Sequence, residues 1–168
     1  MSKLRNIKNS VFEIAQLLGQ DDIICRLLVN DSDDPLNDAA PGKNINDLIS
    51  EKYIALYTPT ENAIEDFGRN TFVAIVVDSI SLKTADNNSR ASISIYVSTD
   101  LAHTIIKGNK NRLLELCDRI ENILEEAKLS TAGIISVTSI QHVMLSELHD
   151  AYKINCNLSD QTARKAEI

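Results

Sequence analysis

The residues in this chain best suited to moving protons or holding a metal are its three histidines, His103, His142 and His149. A nucleophilic serine or cysteine would need one of them beside it as base. None stands in such a motif. There is no G-x-S-x-G, no Walker loop and no G-x-G-x-x-G, and five glycines in all leave little from which to build a phosphate cradle. His142 and His149 flank a turn, where only Glu147 and Asp150 stand near enough in sequence to complete a metal site, so a structural or surface role is the better reading. Asp31-Ser32-Asp33-Asp34 opens like a calcium loop. The EF-hand pattern then asks for Gly at its sixth position and Glu at its twelfth, where Leu36 and Gly42 stand. A solvated acidic loop fits better. Cys25, Cys117 and Cys156 are odd in number, far apart, and set among apolar neighbours or on an inward face. They read as buried, reduced thiols made in a reducing compartment. Tyr96, the outward aromatic of its hairpin, has only Arg90 as a nearby cation, too little for a base-stacking platform. The expectation is a protein that is not an enzyme, with no cofactor and no bound metal.

Composition narrows the field further. The chain has 168 residues, 43% of them hydrophobic, which suits one domain with a real core. Aromatics make up 4% and Trp is absent, so the core is expected to be Ile, Leu and Val. The formal net charge of −7 argues against tight binding to a phosphate backbone. The opening MSKLRNIKNSVFEI lacks the apolar run of a signal peptide, and no apolar stretch approaches a membrane span. The product is expected to be soluble and cytoplasmic unless assembled into something larger.

The element that must organise these residues is Lys110–Lys128. Leu113, Leu116, Cys117, Ile120, Ile123, Leu124 and Ala127 recur at steps of three and four, one apolar stripe on a helix. Asn109 or Asn111 can cap its start. Its other face carries Arg112, Glu115, Asp118, Arg119, Glu121, Glu125 and Lys128. An earlier helix spans 3–18 on Leu4, Ile7, Val11, Ile14 and Leu18, with Phe12, Ala15 and Leu17 beside the stripe and Gly19 closing it. Asp21 caps a short second helix, Asp22–Leu28. Residues 30–47 then read as a long exposed polar loop, either functional or mobile. Tyr53–Tyr57 has the character of a short strand, and Thr58–Phe67 reads equally as a capped helix or an extended arm. Thr71–Lys83 and Arg90–Ser98 form a hairpin around a turn at 84–89, with Ala91, Ile93, Ile95 and Val97 facing in. Ile134–Val143 and Ala151–Leu158 form a second strand pair. The predicted fold is α+β: one domain, 1–158, with an antiparallel sheet of four or five strands built from two hairpins. The N-terminal helix and the long central helix pack on one of its faces, and 159–168 is a polar tail.

This order of features resembles the tail terminator and head–tail joining proteins of long-tailed bacteriophages. The matching parts are an N-terminal amphipathic helix running into ICRLL, a polar insertion, YIALYTPT, and the hairpin FVAIVVDSISL…RASISIYVS. A helix with Arg112 near its start and DRIENIL within it follows, then the strands GIISVTSIQHV and AYKINCNL. The resemblance, one of order and pattern over roughly 5–158, implies a structural virion protein. Such a protein forms a homo-oligomeric ring, usually a hexamer, assembled in the host bacterial cytoplasm and built into the virion at the head–tail junction. It would cap the tail tube protein, meet the head connector or stopper, and let DNA pass through its lumen without specific binding and with no membrane involved. The net negative charge would suit such a lumen by repelling phosphates. Candidate interface residues are Arg112, Arg119 and Glu115 on the central helix, Tyr96 and Arg90 on the first hairpin, Asp86, Asn87 and Asn88 in its turn, and Asp33 and Asp34 in the long loop. A neighbouring connector (an adaptor or stopper) and a small non-viral cytoplasmic binding or regulatory module remain the alternatives.

Overall fold

The computed structural model of the chain describes residues 3–57, 68–82, 89–130 and 133–159. Four helices lie in them: α1 (Lys3–Gln20), α2 (Asp22–Val29), α3 (Ile45–Ser50) and α4 (Arg112–Glu126). The strands are β1 (Ile54–Ala55), β2 (Thr71–Leu82), β3 (Ser89–Asp100), β4 (Ile105–Ile106), β5 (Lys110–Asn111), β6 (Lys128–Leu129), β7 (Gly133–Met144) and β8 (His149–Ser159). The helix starts follow their caps. The Asp21 carboxylate accepts from the Ile24 amide at 3.0 Å. The Asn111 side chain accepts from the amides of Leu113 and Leu114 at 2.9 and 3.2 Å. Of the two asparagines open in the sequence, Asn111 is therefore the cap. Asn109, at φ +57°, takes the left-handed turn with Gly108 that leads into it.

The sheet runs β1-β2-β3-β8-β7-β6. Its middle is the two expected hairpins, β2–β3 and β8–β7, joined in register through β3 and β8: Ile93 lies opposite Cys156 and Ile95 opposite Ile154. Each margin then gains a two-residue strand. β1 pairs with β2 through Ile54↔Val73 and Ala55↔Ala74, and it runs parallel, not antiparallel. β6 pairs with β7 through Leu129↔Gly133 and Lys128↔Ile134. The expectation of four or five antiparallel strands is thus corrected to six, one pair of them parallel. β1 stands where Tyr53–Tyr57 has strand character, but a parallel partner has no hairpin turn to announce its place, and the two residues of β6 are too few to show alternation. One residue bulges out of each long marginal strand, Asp78 between Val77 and Ser79 and Thr138 between Val137 and Ser139.

The helices cover one face, but in a fuller arrangement than two helices on a sheet. α4 lies across β3, β8 and β7; α2 sits on β2; the sheet curls so that α1 touches both β2 and β6. Leu113, Leu116, Cys117, Ile120 and Leu124 of the α4 stripe are buried against Ile93, Ile95, Ile154 and Cys156 in one aliphatic core. Full burial of each such side chain stabilises the fold by about 1.5–3 kcal/mol. α3 was not expected. It starts inside the stretch read as loop, on a capping box in which Asn44 takes the Asp47 amide and Asp47 takes the Asn44 amide. Gly19 does not end α1. It lies within the helix, where a Cβ would come 2.9 Å from Ile45 and 3.2 Å from Leu48, so its role is to let α3 approach.

The other face of the sheet is mostly small and polar. Ser94, Asn155 and Ser139 carry a hydrogen-bonded row across it from the bulged Asp78. Ser94 donates to Asp78, and Asn155 donates to Ser139 at 2.9 Å. At one end, Phe72, Ala55 and Ala74 form a minor apolar cluster with Tyr96 and Leu145. The turn at 84–89 lies outside the described residues apart from Ser89, which begins β3. The choice between helix and arm at Thr58–Phe67 and the tail after Ser159 lie outside them as well.

Candidate interface residues

Arg112, the first residue of α4, has no exposed surface at all. Its guanidinium donates to four backbone carbonyls: Nε to His103 at 3.0 Å, Nη1 to Leu27 at 2.7 Å and Asn30 at 2.8 Å, and Nη2 to Ser32 at 2.9 Å. Leu27 belongs to the last turn of α2, whose carbonyls have no partner within their own helix. The cation therefore sits at the negative end of that helix dipole. Burial pushes the Arg112 guanidinium below its ordinary pKa, and the charges of Asp31 and Asp33 oppose the shift. Expected on the charged outer face and at a subunit interface, Arg112 is instead enclosed by groups of its own chain.

Two turns further along α4, Arg119 binds the other end of α2. Its Nε and Nη2 lie 3.0 and 2.6 Å from Oδ2 of Asp21, whose other oxygen caps α2. Seven residues of helix rise about 10 Å, close to the length of an eight-residue helix. α4 thus holds the antiparallel α2 with one arginine at each end. Burial alone would raise the Asp21 carboxyl; the Arg119 hydrogen bonds, the Ile24 amide and the Arg119 charge outweigh it and leave the pKa below the ordinary value.

The loop that follows α2 is likewise tied to its own chain. Arg26 donates to the carbonyls of Leu36 and Asp38, and Asn70 to Asp31 at 2.9 Å. Asp33 is exposed, but its carbonyl accepts from the Lys107 amide at 2.7 Å. Asp34 accepts from Lys107 Nζ at 2.7 Å and from Asn37 at 2.9 Å, which together hold its carboxyl below the ordinary range. Glu115 is half-exposed, 3.7 Å from Lys110. Tyr96 is half-buried on the opposite face with Lys153 Nζ 5.6 Å from its ring centre. Arg90 is exposed in a shallow hollow among Ser79, Ser81, Ser92 and Asn157. Asp86, Asn87 and Asn88 lie outside the described residues. The expected interface residues therefore do not converge: Asp33, Asp34, Arg112, Glu115 and Arg119 cluster round the α2–α4 corner, and Tyr96 and Arg90 stand apart on the far face.

The groups with chemical potential are similarly dispersed. His142 pairs with Asp150 and meets Tyr152 edge-on, ring centres 5.3 Å apart. His149 packs near Phe72 at 6.3 Å. Among the described residues, no three His, Cys, Asp or Glu side chains are grouped to hold a metal ion. All three thiols are free and buried, and burial pushes Cys117 and Cys156 up to about 12.

What the sequence reading missed lies at the sheet margins. β1 covers only Val73 and Ala74 of β2, and β6 only Gly133 and Ile134 of β7. Among the described residues, the outer edges of Ile75–Leu82 and Ile135–Met144 have no strand partner. Alongside the β2 edge runs an apolar groove of about 820 Å³, walled by Leu4, Ile7, Val11 and Phe12 of α1 and by Leu56, Val77 and Ile80. Phe12 and Ile80 are each 38% exposed there. The signal was present in the second apolar row of α1, which is broader than its packing needs. A further signal was the scarcity of charge in 71–82 and 133–144, where Asp78 is the sole Asp, Glu, Lys or Arg.

Among the described residues no helix is long and apolar enough to cross a membrane. No curated protein matches the chain significantly. The YomW family model matches residues 21–158, from the cap of α2 to the end of β8. The family's name derives from a phage gene, an association with phages that points to no particular part of a virion. The chain, matched over most of its length, belongs to the YomW family.

Proposed function

We propose that this chain is a structural subunit of a phage virion that forms a ring at the head–tail junction, as the tail terminator. In that role it caps the tail tube protein and meets the head connector or stopper. The observation that carries the reading is the pair of open margins. Two twelve-residue strands, β2 and β7, end the long part of the sheet on either side and carry a single charge between them. Monomeric proteins blunt such edges with lysines, prolines, bulges or full cover; here each margin carries a single bulge, at Asp78 and at Thr138, and no lysine or proline. Two different margins on one subunit suit head-to-tail contact, which closes into a ring when the turn at each step divides a circle. The curl of the sheet supplies a turn. The phage-derived family name supports the phage association alone, and the resemblance of element order supports the place at the junction. Function in this role is surface complementarity without turnover. The net charge of −7 suits a wall past which DNA slides.

Purified virions provide the test. The expected result is the chain present at a fixed, ring-like number of copies per particle and co-sedimenting with assembled tails. Its absence from virions would remove the proposal. Presence at the junction in contact with the portal, not the tube, would reassign it as an adaptor.

A further inference from the structure

We infer that the open edge of β2, with the apolar groove beside it, takes the open edge of β7 from a second copy of this chain, so that the sheet continues from one subunit to the next. This deepens the ring reading and rests on it. Three observations lead there. First, among the described residues the outer edge of Ile75–Leu82 has no strand partner, and an unpaired strand edge next to an apolar groove is the arrangement used for strand addition: main-chain groups supply the hydrogen bonds and the groove takes alternate side chains. Val77 and Ile80 of β2 face the groove with Leu4, Val11 and Phe12. Second, the two margins have matching faces. β2 turns Val77 and Ile80 toward the helices and Ser79 and Ser81 away; β7 turns Ile135, Val137 and Ile140 toward the core and Ser136 and Ser139 away. A β7 strand laid beside β2 extends both the apolar and the serine layer. Third, copies of a chain with net charge −7 repel one another, and these strands are where they can approach: Asp78 is the one charged side chain on them, and the charges on the groove, Lys8 and Glu13, are of opposite sign. Asp78 also lies near the middle of the open part of β2. Two β2 edges related by a two-fold axis would bring these carboxylates together, which like-charge repulsion disfavours.

The test is a mixing experiment with full-length chains, followed by sedimentation velocity up to roughly millimolar concentration, the weak end of specific association. Ile80→Lys blocks the β2 margin, and Gln141→Lys, at an exposed site on β7, blocks the other. Wild type is expected to associate, and each variant alone to lose association by at least tenfold. The two variants mixed are expected to form a one-to-one dimer, through the free β7 edge of the first and the free β2 edge of the second. Ser81→Lys and Ser136→Lys, exposed on the serine face of the same edges, repeat the test should either first variant fail to fold. Self-association of the β7-blocked variant alone, self-association of the β2-blocked variant alone, a mixture that stays monomeric, or a monomeric wild type would each overturn the inference. The virion assay separates the two claims. A virion protein that fails the mixing test loses only the edge pairing. One that passes it but is absent from virions loses only the ring at the junction.

Discussion

The α2–α4 corner and the open side of the sheet are built on opposite plans. At the corner, charge is bound within the subunit: Arg112 is enclosed by four carbonyls, Arg119 grips the cap of α2, and Asp31, Asp33 and Asp34 belong to a loop bonded back to the body. Along β2 and β7 there is almost no charge, the outer edges of Ile75–Leu82 and Ile135–Met144 have no strand partner among the described residues, and Leu4, Phe12, Leu56 and Ile80 are partly bare. The corner is complete within one subunit and the margins are not. In a chain of this kind the conspicuous charged residues mark where the monomer is locked. The plain strands mark where it has contacts still to make.

The largest expected effect is at Arg112. Arg112→Met removes the donors to Leu27, Asn30, Ser32 and His103 and leaves those carbonyls buried without partners. Breaking a buried charged network from one side costs about 3–5 kcal/mol, to be read from urea unfolding. Arg112→Lys rescues little, since an ammonium cannot reproduce the planar fork. A loss below about 1 kcal/mol would mean the corner is not locked by this residue. A tighter steric lock sits at Gly19. Gly19→Val drives methyl groups into Ile45 and Leu48 and is expected to cost about 1–3 kcal/mol.

The Asp21–Arg119 pair is smaller and carries a pH signature. Asp21→Asn keeps a capping oxygen but loses the charge facing a half-exposed arginine, an effect of about 0.5–1 kcal/mol at neutral pH after solvent screening. The folded carboxyl titrates below its unfolded value. Its contribution is therefore fully present above about pH 4 and is lost as the pH falls through the lower folded value. The difference between wild type and Asp21→Asn should hold from pH 7 to about pH 5 and vanish on further acidification. A difference that instead grew toward acid would place the carboxyl's pKa above the ordinary value and reverse the account.

How much of this was readable in the sequence depended on range. The caps at Asp21 and Asn111, the α4 stripe, the two hairpins and the inward row Ala91–Ile93–Ile95–Val97 are local patterns, and they stand as the spacing predicts. The strand character of Tyr53–Tyr57 is likewise local and stands as β1, but its parallel pairing with β2 spans fifteen intervening positions, so no local signal carries that. What the sequence could not show about charge has a single cause. Arg112 lies 80 to 85 residues from Leu27, Asn30 and Ser32, and Arg119 lies 98 from Asp21. A charge at a helix start is normally solvated, and only the fold shows that a second helix ends there. The acidic loop is exposed as its composition predicts, but what holds it was not legible, because Asn70 and Lys107 come from distant elements.

The smallest expected effect is also the most telling for the comparison. If the margins are unfinished, altering them should hardly touch the isolated subunit. Ile80 is 38% exposed and Gln141 is exposed, so Ile80→Lys and Gln141→Lys should each shift unfolding by no more than about 0.5 kcal/mol. The measurement belongs at low concentration, where association does not add its own stabilisation. Ile80 is the sharper case. A lysine stem can lie along Phe12 and Leu4 with its ammonium in water, keeping much of the apolar cover while placing a charge where an incoming strand would pass. A loss of 2 kcal/mol or more at low concentration would show that Ile80 seals the subunit's own core. The groove beside it would then be a seam of the monomer, and the contrast between a finished corner and an unfinished margin would fall with it.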